Sequence, residues 1–209
     1  MRSAPLLLPV LLLVCMTNTG CLLLNAEINP SYTADPSQTS RLKTLQPMTV
    51  ALLIEDLRTS DERESVGQRR NGYGGVSAKV ISGRPITSIF YDALSAELNN
   101  NGHTVISEPS DATSRTVKVG VKRFWTENQM NFLDITMSAT VDADIVIQDR
   151  NAPVTTMKRS ITGTADESRQ FAGESAYQDA LNTALHEFVR SFARDSEIIK
   201  ALRDPATRQ

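Results

Sequence analysis

The longest regular pattern in the chain is an alternation of apolar and polar side chains. Leu133, Ile135, Met137, Ala139, Val141, Ala143, Ile145 and Ile147 fall on one parity, and Asp134, Thr136, Ser138, Thr140, Asp142 and Asp144 on the other. Period two over this length predicts a strand with one buried and one wet face. Before it, Val117, Val119 and Val121 alternate with Lys118, Gly120 and Lys122, and Trp125 continues the apolar set. A turn is expected near Glu127–Met130. Asp149–Pro153 makes a second turn, and Val154–Ala165 returns, which together give an antiparallel meander.

Elsewhere the pattern differs. Met48–Leu57 is apolar on both parities, as in a strand internal to its sheet. After Pro85, residues Ile86, Ile89, Phe90, Ala93, Leu94 and Leu98 recur at helical spacing, and Asn99–Gly102 stops the run. His103–Glu108 reads as a short strand. Joined to the first strand through a helix, it should run parallel to it. A last helix opens near Glu174 with the stripe Tyr177, Leu181, Ala184, Leu185, Phe188 and Phe192. A short turn carrying Ile198, Ile199 and Leu202 follows and ends before Pro205. One-sided sheet and amphipathic helices predict an α+β two-layer sandwich: a mainly antiparallel sheet, with a long meander and two amphipathic helices on one face.

Two stretches show no period. Arg58–Arg84 holds several charges and five glycines and reads as a long mobile loop. Its Arg69, Arg70 and Tyr73 are residue types that anchor protein contacts, so they are the candidate partner-contact residues. Asn25–Gln46 is polar, carries Pro30 and Pro36, and reads as a flexible spacer with ends about 25 Å apart.

The first 24 residues change the picture. Arg2 precedes the apolar run Leu6–Val14, and Asn18-Thr19-Gly20-Cys21 follows. A basic start, a short apolar core and small residues before a break make a secretory signal, too short to span a bilayer. The cysteine after Gly20 turns this into a lipoprotein signal with cleavage before Cys21 and lipid on the new N-terminus. Cys15 competes for that role but follows the branched Val14. Stable anchoring requires more than one acyl chain. The expected organisation is therefore a signal at 1–20, a lipidated N-terminus and spacer at 21–46, and one domain at 47–209.

Composition narrows the chemistry. Hydrophobic residues at 40% and charged residues at 22% fit a globular body. The formal charge is −2, and loss of Arg2 with the signal takes it to −3, a poor balance for nucleic-acid binding. Both cysteines lie in the first 24 residues, which leaves none for a disulfide or a thiolate metal site. His103 and His186 read as surface or boundary residues with no nucleophile beside them, and His186 lacks the second His of a zinc helix. Asp134 and Asp142 lie eight residues apart, about 26 Å along a strand, so the acidic residues of the wet face are read as solvated rather than as a cation site. Gly72-Tyr73-Gly74-Gly75 neither follows a strand tightly nor opens a helix, as a phosphate loop would.

The chain resembles the YajG-type family of uncharacterised bacterial lipoproteins. The likeness rests on four features: Cys21; the first strand ending in Asp56-Leu57-Arg58; the alternating run to Ile145-Val146-Ile147; and the closing helix from Phe171 through Ala180-Leu181-Asn182 to Asp195, with Ile198 beyond. The resemblance implies an outer-envelope lipoprotein without an established enzymatic role. The expectation is a non-catalytic binding or structural protein without cofactor or metal. It is held to the membrane by its lipid, faces the periplasm, and has another envelope protein as partner. The alternative is an accessory subunit of an envelope transport or assembly machine. Leu22, where an inner-membrane retention signal would place Asp, points to the outer membrane.

Overall fold

The computed structural model describes residues 25–149 and 152–203. Eight strands form one sheet: β1 (Ala26–Ile28), β2 (Thr49–Asp56), β3 (Gly67–Arg70), β4 (Val76–Ser82), β5 (Thr104–Ile106), β6 (Arg115–Met130), β7 (Ile135–Asp149) and β8 (Ala152–Arg169). The helices are α1 (Ser60–Arg63), α2 (Ile86–Asn100), α3 (Glu174–Arg194) and α4 (Ser196–Arg203).

The sheet is mixed, which corrects the expectation of a mainly antiparallel one. The β6–β7–β8 meander is antiparallel, with Val119 opposite Ile145 and Val141 opposite Gly163. However, β2 pairs in parallel with both β5 and β6, β3 with β6, and β1 with β4. The long β6 explains this arrangement. Residues 115–121 carry β2 along one edge, residues 126–127 carry β3 further along the same edge, and β7 takes the other edge. Between β2 and β3 the chain folds out through α1, and the buried Arg58 fills the gap. Its guanidinium binds the Asp56 carboxylate at 3.1 Å and donates to the Glu62 and Ser65 carbonyls at 2.7 and 2.9 Å.

The parallel β2–β5 pair, the internal position of β2, the α2 boundaries and the α3 stripe match the pattern read from sequence. Gly102 stops α2 with φ +90°, a backbone angle that favours glycine. All the named apolar positions of α3 are buried against β6, β7 and β8 in one continuous core with α2 and α4. This packing is compatible with the expected two layers.

Four local expectations fail. Arg58–Arg84 is not a mobile loop but α1 and a β3–β4 hairpin. Glu127–Met130 is not a turn; β6 runs to Met130, and the turn is at 131–134, so Leu133 leaves the buried face and stands exposed. A bulge between Val121 and Arg123 moves the strand by one residue, so that Phe124, not Trp125, continues the buried set. Residues 25–46, expected as a flexible spacer, lie packed on the domain. β1 adds to the sheet, and Leu42 and Leu45 enter the core. The Asn29 and Ser31 amides donate to the Gln178 and Asn182 side chains of α3 at 3.1 and 2.8 Å. The Ser40 amide donates to Asn101 Oδ1 at 2.9 Å. The expected signal with Cys15 and Cys21, part of the 149–153 turn, and Pro205 lie outside the described residues.

Candidate functional site

Strand directions decide which loops share an end of the sheet. β3 and β6 run towards one end, which is also where β4 and β7 begin and β8 finishes. Three tips converge there: the β3–β4 turn at 71–75, the β6–β7 turn at 131–134 and the exit from β8 at 170–173. The first is built by Asn71, whose side chain accepts the Tyr73 and Gly75 amides at 3.0 Å, with Gly74 at φ +80°. The second is closed by the Asn131 amide on the Asp134 carbonyl at 2.9 Å. Gly72 faces Met130, with 3.7 Å between the place a Cβ would take and Met130 Sδ, so the first two tips touch.

This end carries the unusual surface of the molecule. Among the described residues the large exposed hydrophobics are Leu57 and six residues in or next to these tips. Those six are Tyr73 (101% exposed), Val76 (57%), Met130 (44%), Phe132 (99%), Leu133 (87%) and Phe171 (81%). Single exposed apolar residues need no explanation, but a group gathered at one end is the candidate contact surface.

Beneath the tips the end is cross-linked by side-chain hydrogen bonds. Asn128 is buried and ties three elements together. Its Oδ1 accepts the Arg70 amide and the Tyr177 hydroxyl, each at 2.7 Å, and its Nδ2 donates to the Arg70 carbonyl at 3.0 Å. On the outer face Glu127 Oε2 accepts from Gln68 at 2.6 Å and from Arg70 at 3.0 Å. Partial burial pushes the Glu127 carboxyl up, but the Gln68 and Arg70 bonds outweigh it and hold the carboxyl below its ordinary value. Arg169 pairs with Glu167 at 2.7 Å and Asp179 at 3.2 Å.

The three candidate contact residues therefore do not form one surface. Arg70 points to the outer face and is paired with Glu127. Arg69 points to the helix face, its guanidinium 5.9 Å from the centre of the Tyr177 ring. Only Tyr73 is free at the tip. The residues that join it (Met130, Phe132, Leu133 and Phe171) carried a signal in the sequence only as apolar residues beside polar turn formers, and strand parity assigned Leu133 to the core.

Among the described residues the two histidines lie away from the tips. His103 is buried, not at the surface or boundary as expected, with Nε2 3.1 Å from the Leu42 carbonyl. His186 is exposed and packs on Tyr32, ring centres 4.5 Å apart. The Tyr32 hydroxyl donates to Glu97 at 2.7 Å, and burial and that carboxylate push its pKa up, away from any nucleophilic use. On the wet face, Lys122 pairs with Asp144 at 2.9 Å and Asp142 at 3.4 Å. Among the described residues no group of three or more His, Asp or Glu side chains is placed to hold a metal ion, and no helix is long and apolar enough to cross a membrane.

A family model described as "Uncharacterized lipoprotein" matches residues 36–203. Solved structures with a similar fold include a protein of Xanthomonas campestris at 14% identity and TM-score 0.54, covering 83% of this chain and 95% of that one. An uncharacterised protein matches at 13% identity and TM-score 0.49, over 79% and 97% of the two chains. A minor lipoprotein of Acinetobacter baumannii matches at 12% identity and TM-score 0.37, over 71% and 92%. No curated protein matches the sequence.

Proposed function

We propose, from the premise that this chain belongs to the YajG family of uncharacterised lipoproteins, that it is a non-catalytic envelope protein held to a membrane by lipid on Cys21. Family membership supports a lipid-anchored location. The sequence supports the finer reading: the apolar run Leu6–Val14, the small residues Thr19 and Gly20 before Cys21, and Leu22 after it for sorting to the outer membrane, facing the periplasm. A contact role is favoured by the observation that the exposed apolar side chains gather at one end of the sheet, and an envelope protein as a further partner is a proposal from the family resemblance alone.

Acyl labelling in cells tests the anchor. Wild type should incorporate labelled palmitate and fractionate with membranes, whereas Cys21→Ser should lose the label and be released. Retained labelling in Cys21→Ser together with loss in Cys15→Ser would move the anchor to Cys15 and refute the assignment. Fractionation of inner and outer membranes tests the sorting, and cross-linking in cells followed by affinity capture tests the partner.

A further inference from the structure

We infer that the apolar tips Tyr73, Met130, Phe132, Leu133 and Phe171 are a membrane-docking surface that seats the domain on the bilayer to which Cys21 is tethered. The inference rests on the lipidation proposed above, and the occupant follows from where the described chain begins.

β1 pairs in parallel with β4, so its first residue faces the same end of the sheet as the tips, and Asn25 enters β1 from that direction. Ala26 is level with Val80, Val80 with Gly67, and Gly67 with Thr126. From Thr126 to Met130 is about 13 Å along the strand, and the turn bearing Phe132 and Leu133 lies beyond. The five residues from Cys21 to Ala26 cannot span more than about 17 Å. A lipid on Cys21 therefore holds the bilayer within about 17 Å of Ala26, and the tips project beyond the level of Ala26 by a similar distance. Had residues 25–46 been the free spacer that their composition suggests, no such restriction would apply.

The chemistry of the tips fits an interfacial seat. Phe132, Leu133 and Phe171 are almost fully exposed, and Tyr73 adds an aromatic ring with a polar end, the type that settles at headgroup level. The charges behind them are paired, Arg70 with Glu127 and Arg169 with Glu167. Asp134, bonded to Asn131 and Ser168, stands in the β6–β7 turn itself and limits entry to a shallow depth. Apolar contact, rather than attraction of a basic face to anionic lipid, carries the docking.

Spin labels on the full-length acylated protein test this. With Cys21 acylated, Phe132→Cys or Phe171→Cys provides the single free thiol of the mature chain, and Ala112→Cys, before β6 at the opposite end, is the control. Acylation is verified first by mass spectrometry. The protein is then placed in vesicles of phosphatidylethanolamine and phosphatidylglycerol, and collision with oxygen and with a water-soluble nickel chelate gives the depth. Labels at 132 and 171 should lie about 5–10 Å below the phosphate level, the depth of interfacial apolar groups, and the label at 112 should stay in water. In a Phe132→Ser, Leu133→Ser background, unchanged in melting, a label at 171 should return to water. Acylated, vesicle-bound protein whose labels at 132 and 171 are as wet as that at 112 would overturn the docking while leaving the anchor intact. Labels wet in vesicles but protected in native envelope fragments would assign the patch to a protein and overturn it equally. Absence of acyl groups would instead refute the Cys21 anchor and remove the tether on which the inference rests.

Discussion

Gly163→Ala should be among the most damaging single-methyl changes in this protein. Gly163 lies on the buried face of β8, between Ile161 and Ala165 and opposite Val141. α3 rests directly on it: a Cβ there would stand 2.2 Å from the Ala184 carbonyl oxygen, 2.3 Å from the Phe188 amide nitrogen and 2.8 Å from Phe188 Cα. All three are backbone atoms of one helix, so no rotamer change can relieve the clash. Ordinary contact needs 3.4 Å or more, so α3 must lift by about 1.2 Å. That displacement loosens Tyr177, Leu181, Leu185 and Phe188, all fully buried against the sheet. Overpacking of a well-filled core costs about 1–3 kcal/mol, and a backbone clash falls at the upper end. For a chain of this size, about 3 kcal/mol corresponds to a fall in Tm of roughly 6–12 °C. Thermal unfolding followed by circular dichroism is the assay, with Gly72→Ala as control, because a Cβ at Gly72 meets only Met130 Sδ at 3.7 Å. If Gly163→Ala melts with Gly72→Ala, α3 does not cross β8 at this point and the packing register of the two layers is wrong.

Two further outcomes test the account. Leu42→Ala should lower stability by about 2–4 kcal/mol, as for other large-to-small changes at fully buried sites, and a chemical denaturation midpoint equal to wild type would return residues 25–46 to the status of a spacer. Stability should also fall in acid. Glu127 and Asp56 are pushed up by burial but held below their ordinary values on balance by bonds from Gln68 and Arg70 and from Arg58, and the Arg169 bond holds Glu167 down. Carboxyls depressed in the folded state stabilise it above their unfolded pKa and cease to do so as pH drops through the folded one, so the midpoint should decline from about pH 5 towards pH 3. Arg70→Gln should flatten that decline, and an unchanged slope would discount the Arg70–Glu127 pair.

Where one periodicity dominates, the sequence was sufficient to read the fold: α2, α3 and β7 from Met137 to Ile147 bury the residues that their spacing indicates. It misled where tertiary contacts replace periodicity. β3 has four residues, one of them Gly67, which lies so close to Thr126 that a Cβ would stand 2.2 Å from its carbonyl oxygen, so no alternation could develop. Val76, Ala78 and Val80 do alternate with Ser77 and Lys79, a strand signal obscured by the glycines around it. Thr126 and Asn128 are polar yet buried. Asn128 is satisfied by Arg70 and Tyr177, which made the end of β6 resemble a turn. The spacer was misread because three residues of β1 and the pair Leu42 and Leu45 are too few to show a period. Of the candidate site, Tyr73 was legible. The group that it joins depends on strand directions that only the mixed sheet reveals.

The most direct test of a lipid-tethered domain seated on its tips is the thickness of the protein layer on a supported bilayer, measured by neutron reflectometry on the acylated full-length protein. β6 has 16 residues, so a sheet standing on its tips extends about 50 Å from the membrane. A layer of about 50 Å with no water gap between protein and headgroups is the predicted result. A layer about half as thick, or one separated from the headgroups by a hydrated gap, would contradict the account.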